Sequence, residues 1–464
     1  MAMKTNNEVI IQSLGAAETV TGSKHLLRTP EMNILVDCGL FQGLKELRLK
    51  NWENLPVDPA DVDVILLTHG HLDHCGYIPR FVKNGFKGPI WMTIPTAEVT
   101  KLILLDSAKI QEEDAEQANR FKYSKHEPAL PLYTVKDAEA CFPQFTTINH
   151  STVQKLSPNI QFQYHKNGHI LGSCYIEMDC YGKKIIFSGD IGRYNSIYLA
   201  TPAHTGDADF VVMESTYGDR LHGDADPRVQ LSQVIFDTYT KHGNTLIPCF
   251  AVGRAQELML MLDELKHANK IPSNIPTYLD SPMAAEMTTI TDKYPDWHII
   301  TAVQCENMRR DIIINKDHDG TLSIIKDGHN KIVLSASGML TGGRVLEYFT
   351  AYAPDPKNAV LLIGYQAEGT RGRSLKEGAH EVKIRGKYVQ VKAQVEEITG
   401  LSAHGDQGEL LRWVSEFSKK PNQVFLVHGE PPAQAALQLK IQDTLHIPTT
   451  ILKQDVGVKL FDVG

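Results

Sequence analysis

One short stretch limits this chain more than any other. Thr68-His69-Gly70-His71-Leu72-Asp73-His74 sets three imidazoles and a carboxylate within six residues, directly behind the apolar run Val64-Ile65-Leu66-Leu67. A strand over residues 61–67 puts this cluster at a strand end, where the following turn aims several side chains at one point. Imidazole and carboxylate are ligands that Zn²⁺ takes at about 2.0–2.2 Å, and a catalytic zinc needs few protein ligands and one open position. The spacing His-x-His-x-Asp-His divides into two ligand sets, which suits a pair of ions. The alternative is a solvated His-rich turn, or a histidine capping a helix that begins near Asp73. The density of ligand-type residues argues against it.

The rest of the composition fits a globular enzyme. With 464 residues, 42% hydrophobic and 22% charged, the chain can fold into two or three domains around a large core. No apolar run approaches the ~18 residues of a membrane span, and residues 1–7 lack a signal-peptide core, so the expected compartment is the cytoplasm. The seven cysteines are odd in number and scattered, with no Cys-x-x-Cys pair. That pattern argues against a disulfide framework and a thiolate zinc site. Cys75, beside the histidine cluster, reads as a small buried hydrophobe. A net charge of −8 means that a nucleic-acid substrate must be drawn by a local basic groove or by the metals themselves.

Along the chain, short β-rich runs at 9–14, 25–27 and 33–36 are punctuated by Gly15, Gly22 and Pro30, as in a sheet of hairpins. Strands are expected at 63–67 and 89–92, then a long helix through 99–120. Further strands are expected at 160–164, 174–178, 184–187 and 210–213. Ligand-type residues stand at the strand ends: Asp37, the cluster at 69–74, His169, Asp190 and Glu214. Five ends converging in this way build one site. His165 competes with His169, which is preferred because Gly168 and Gly172 flank it in a tight loop. Between about 217 and 388 the pattern restarts as βα units, the signature of a parallel sheet with crossover helices. A strand over 389–398, helices from Asp406 and Pro432, and the stretches Ser402-Ala403-His404 and His428-Gly429 then resume the ligand-bearing style.

These stretches resemble the metallo-β-lactamase fold, with motifs at Asp37, His69-x-His71-x-Asp73-His74, His169 and Asp190. Glu214-Ser215-Thr216-Tyr217-Gly218, Ser402-Ala403-His404 and Val427-His428-Gly429 resemble motifs A, B and C of its β-CASP nucleases. The segments 248–257, 279–284, 335–344 and 364–370 are similar to the inserted domain of cleavage-and-polyadenylation-type endonucleases. The resemblance implies an α/β architecture: an αββα metallo-β-lactamase sandwich at 1–216 and 389–464, with a β-CASP domain inserted at 217–388. No added RNA-binding domain is evident at either end.

It also implies two zinc ions, one on His69, His71 and His169, the other on Asp73, His74 and His428, with Asp190 bridging. Asp37 would orient a ligand from behind, and Asp73, Asp190, Glu214 and His404 would serve catalysis. Arg254, following a strand and Gly253, could form a phosphate cradle with Ser337, Gly338 and Arg344. The implied activity is a zinc-dependent ribonuclease that leaves 5′-phosphate and 3′-hydroxyl ends. Cleavage is expected to be endonucleolytic, with a 5′→3′ exonucleolytic mode left open, as are oligomeric state and RNA preference. Two rivals remain: a metallo-hydrolase of small esters or lactams, and a non-catalytic RNA-binding subunit. The inserted domain and His428 weigh against the first, and the full set of ligand positions against the second.

Overall fold

The computed structural model describes residues 7–122, 124, 126–204, 206–223, 225–398 and 400–464. Residues 1–6 of the stretch read as lacking a signal-peptide core lie outside them. The chain divides into two compact units: residues 1–196, 200–221 and 404–464 in the first, and 197–199 and 222–403 in the second.

The first unit holds two seven-stranded sheets. One runs in the order Gly457–Asp462, Glu8–Gly15, Lys24–Arg28, Asn33–Val36, Val64–Leu66, Ile90–Thr93, Phe145–Ile148. The other runs Thr449–Ile451, Gln423–Leu426, Phe210–Met213, Lys183–Phe187, Cys174–Cys180, Ile160–Lys166, Gln154–Ser157. In each sheet a parallel half joins an antiparallel half. The parallel strands are apolar without interruption because both their faces are covered: Val64–Leu66 and Phe210–Met213 are buried throughout. Glu8–Gly15, nearer an edge, instead alternates buried Val9, Ile11 and Ser13 with partly exposed neighbours. Trp91 of the first sheet meets Phe162 of the second edge to face, and Phe210 stacks on Phe461, so the sheets pack face to face.

Helices cover the outer face of the second sheet. In Gln407–Ser415 the buried Leu410, Trp413 and Val414 follow the helical repeat and pack on Tyr175, Ile186, Val211 and Val424. Each such side chain contributes about 1.5–3 kcal/mol by leaving water. Asp406 starts this helix through a reciprocal capping box with Glu409. That fixes the chain immediately behind His404.

The second unit carries one six-stranded parallel sheet in the order Ile313–Asn315, Thr277–Asp280, Ile332–Ser335, Thr245–Pro248, Ala359–Ile363, Gln394–Ile398. The crossover helix Arg254–His267 is buried along most of its length, through an apolar run over residues 258–262 and also at Arg254, Gln256 and Glu257. At its start, Arg254 forms a buried ion pair with Glu257 and also donates to the Leu401 carbonyl. Breaking a buried pair by removing one partner costs about 3–5 kcal/mol. Arg254→Ala is therefore expected to lower the thermal unfolding midpoint of this unit by several degrees. An unchanged melting curve would show that the pair contributes nothing.

Two expectations differ from what the structure shows. The second compact unit extends to Ala403, past the boundary expected at 389. The expected strand over 389–398 is broken into the end of a hairpin, Glu381–Ile384 with Lys387–Gln390, and the edge strand Gln394–Ile398, which pairs in parallel with Ala359–Ile363. Residues 389–403 consequently stay with the second unit. Arg254, expected to help form a phosphate cradle, is 6% exposed and engaged with Glu257 and the Leu401 carbonyl.

Candidate metal centre

The centre is built at the ends of parallel strands in the first unit. Asp37 leaves Asn33–Val36 at φ +61°, which turns its carboxylate back over the neighbouring strand end. It accepts from the Thr68 N–H at 2.8 Å, from the Thr68 hydroxyl, and from His74 Nδ1 at 2.8 Å. Asp37 therefore holds the His74 ring with Nε2 turned toward Asp190 Oδ1, 3.2 Å away.

The short helix Leu72–Cys75 is anchored through its carbonyls. Leu40, Ser23 and Cys38 donate their N–H groups to Leu72, Asp73 and His74 respectively. This needs very close backbone approach at Gly39, where an added Cβ would stand 1.6 Å from the Asp73 carbonyl oxygen. Gly39→Ala is expected to displace this helix and reduce metal content by more than about half, since ligand geometry tolerates only ~0.2 Å. Elemental analysis of the purified variant measures it, and full metal content would contradict the packing argument. Cys75 is buried, and its thiol donates to the Gly70 carbonyl.

Two groups of ligand-type atoms lie side by side. His69 Nε2 is 3.1 Å and His169 Nε2 3.0 Å from His71 Nδ1, and both Nε2 atoms are 3.4 Å from Asp190 Oδ2. In the second group His428 Nε2 is 3.2 Å and His74 Nε2 3.7 Å from Asp73 Oδ2. Asp190 joins the groups, for its other oxygen, Oδ1, is 3.2 Å from His74 Nε2 and 3.7 Å from His428 Nδ1. The competitor His165 faces Glu177 instead. Asn167 fastens the His169 loop to the Asp190 loop, donating to the carbonyls of Ser188 and Asp190 at 2.6 Å each.

These donors fit divalent cations. Three ring nitrogens converge at hydrogen-bond distance, and three imidazoles cannot mutually satisfy their lone pairs there. Asp190 Oδ1 is buried without a hydrogen-bond partner among the described residues. Burial pushes His69 down to about 3 and His71 down to about 4, and holds His169 well below the usual imidazole range, so these rings are neutral and present lone pairs. Burial alone would raise the Asp190 carboxyl, but His428, His74, His404 and His69 together hold it well below the usual range. Around His74 burial works downward, and Asp190, Asp37 and Asp73 outweigh it and raise the imidazole.

A third arrangement borders this pair. Glu214 Oε1 accepts from the Ile191 N–H, and both its oxygens lie 3.0–3.1 Å from His404 Nδ1. His404 Nε2 points into the centre, 3.9 Å from Asp190 Oδ2. Burial lowers the His404 ring, but Glu214 and Asp190 outweigh it and raise it to about 9.

Residues to which the motif reading gave no role orient the ligands: Thr68 on His69 Nδ1 at 3.0 Å, Thr216 on His428 Nδ1 at 3.0 Å, and Asn167. Thr68 and Thr216 lie beside motif residues, the one signal that could have found them. The four residues read as a phosphate cradle belong to the second unit. There Arg344 donates to Asp280 and to the Lys316 carbonyl, and Ser337 bonds with Thr341.

The sequence model of the metallo-beta-lactamase superfamily matches residues 22–217, that of the Beta-Casp domain 255–375, and that of the Zn-dependent metallo-hydrolase RNA specificity domain 388–452. The chain is 32% identical over 434 residues to Ribonuclease TTHA0252 of Thermus thermophilus, covering 92% of this chain and 94% of that protein. It is 31% identical over 446 residues to the transcription termination factor FttA of Methanocaldococcus jannaschii, covering 90% of this chain and 67% of that protein. In fold it is similar to a crystal structure of a protein of unknown function from Enterococcus faecalis V583, with a TM-score of 0.53 and 14% identity over 98% of this chain and all of that one. No helix among the described residues is long and apolar enough to cross a membrane. With its ligand-bearing strand ends in one unit and a parallel insert in the other, the chain belongs to the β-CASP branch of the metallo-β-lactamase superfamily.

Proposed function

We propose that this chain is a zinc-dependent ribonuclease that hydrolyses RNA phosphodiester bonds to 5′-phosphate and 3′-hydroxyl products, with two ions per chain. Membership in the family makes it a metal-dependent hydrolase, and a relative named as a ribonuclease supports RNA as the substrate. So does the match of residues 388–452 to an RNA specificity domain. The observation that carries the reading is the position of Asp190, a buried carboxylate with one oxygen toward each histidine group. His69, His71 and His169 would hold one ion, and Asp73, His74 and His428 the other, with Asp190 between them. When bound, two such ions lower the pKa of a water and stabilise the attacking and leaving oxygens of an in-line displacement.

The chain's own groups do the rest. Asp37, Thr68 and Thr216 fix the ring orientations of His74, His69 and His428. Glu214 fixes Nδ1 of His404, leaving Nε2 to deliver a proton to the departing 3′-oxygen.

About two equivalents of zinc are expected in protein purified without chelator. Elemental analysis that finds no zinc, iron or manganese would remove the basis of the reading. Incubation with 5′-labelled linear RNA and with circular RNA, each with and without chelator, tests the activity. Opening of the circle, abolished by chelator, is the expected result, and intact RNA of both forms under metal-replete conditions would refute it.

A further inference from the structure

The second unit holds another group of ligand-type side chains, remote in sequence from every motif above. Asp263 and His267 lie one turn apart near the end of the helix Arg254–His267, and Asp311 caps the end of the helix Ala302–Arg310 packed beside it. One ligand atom from each of the three lies within 4.8 Å of the others. An i,i+4 Asp–His pair is common on helix surfaces, so the pair by itself implies nothing. Its second feature is the state of Asp263. That side chain is 8% exposed, yet its Oδ1 has no hydrogen-bond partner among the described residues.

The nearest donor does not resolve this. His267 Nδ1 lies 3.2 Å from Asp263 Oδ1, but its proton is directed to the Asp263 main-chain carbonyl at 2.9 Å. A buried carboxylate oxygen without a donor is costly, and folded proteins supply a donor, a water or a cation. Asp311 brings a second carboxylate to the same place. Its own cationic neighbours are weakly placed: Arg310 Nε is 3.6 Å from Asp311 Oδ1 on a side chain 60% exposed, and Lys266 Nζ donates to the Asp311 main-chain carbonyl at 3.4 Å. Both can yield to a cation that binds the carboxylates directly.

We propose that Asp263, His267 and Asp311 form an additional divalent-metal site of the zinc class, which ties the C-terminal ends of these two helices together. The donor set selects the ion. One imidazole with two carboxylates and no thiolate suits Zn²⁺ and its first-row neighbours, whereas Mg²⁺ and Ca²⁺ favour oxygen ligands throughout. The hydrogen bond from His267 Nδ1 to a main-chain carbonyl fixes the ring tautomer, as it does for metal-bound histidines, and leaves Nε2 with its lone pair. Water would complete the shell, since His267 is 52% exposed.

The test is equilibrium dialysis of the full chain against zinc, with zinc counted per chain. His267→Ala and Asp311→Asn are both compared with the parent, because neither residue is in the buried core and both variants should fold. Each should lose one equivalent of zinc, or bind it at least ~10²-fold more weakly, with RNA cleavage unchanged. Millimolar magnesium should not displace that equivalent. Equal zinc stoichiometry in the parent and both variants would overturn the proposal, as would displacement by magnesium. A change in cleavage that accompanies the lost equivalent would also overturn it, by placing that zinc in the catalytic centre.

Discussion

Asp190→Asn is expected to abolish RNA cleavage while the first unit remains folded. The substitution keeps the size and shape of a side chain that is 2% exposed, so packing around it changes little. What it changes is chemistry. Asp190 Oδ2 faces His69 and His169 at 3.4 Å, and Oδ1 faces His74 at 3.2 Å. An amide has one oxygen and one NH₂, so only one histidine group would keep an acceptor, and the other would face a donor. The amide is also neutral, and would no longer offset the charge of the proposed pair of cations. Replacing a group that merely orients a metal ligand costs about 10–100-fold, so a residue between two ions should cost more than about 10²-fold in turnover. Initial rates on labelled RNA, metal content and circular dichroism on the same preparation test this. Turnover within tenfold of the parent would show that Asp190 does not lie between the ions.

The centre could be read in the sequence because its chemistry is local. His69, His71, Asp73 and His74 lie within one strand end and the turn after it, so their residue types alone announced a ligand cluster. Asp37, Asp190, Glu214 and His428 were legible for a related reason: each follows a continuous apolar run, and parallel strands covered on both faces leave such runs. Legibility failed where tertiary partners decide. An alternating pattern over 389–398 identifies extended chain but not the sheet it joins, and only the register with Ala359–Ile363 assigns Gln394–Ile398 to the second unit. At Arg254 the sequence shows a cation at a helix start, whereas its burial with Glu257 follows from how that helix packs. Edge strands such as Gln154–Ser157 and Gly457–Asp462 are too polar to register as strands, because an edge has little core to face. Asp263 and Asp311 are 48 residues apart in number and meet only through helix packing.

The second large effect concerns the leaving group. Hydrolysis of an RNA phosphodiester releases a 3′-oxygen that departs as a costly alkoxide unless it gains a proton. In the proposed reaction His404 supplies it. Both carboxylate oxygens of Glu214 lie 3.0–3.1 Å from Nδ1, which fixes the proton there, and Nε2 faces the centre 3.9 Å from Asp190 Oδ2. Glu214 is itself held by the Ile191 N–H, and the capping box at Asp406 fixes the chain just beyond His404. Removing a general acid of this kind takes about 10²–10⁴ from the rate, so His404→Ala is expected to lower turnover by that factor with metal content unchanged. A substrate with a 3′-bridging sulfur leaves without a proton, and the variant should cleave it at close to the parent rate. The rival role is metal ligation, since His404 also falls in a group with Asp190, Glu214 and His428 whose ligand atoms lie within 4.8 Å of one another. The two roles separate cleanly: a ligand's removal releases an ion and leaves the sulfur substrate as slow as the natural one, whereas an acid's removal keeps the ions and is rescued by sulfur.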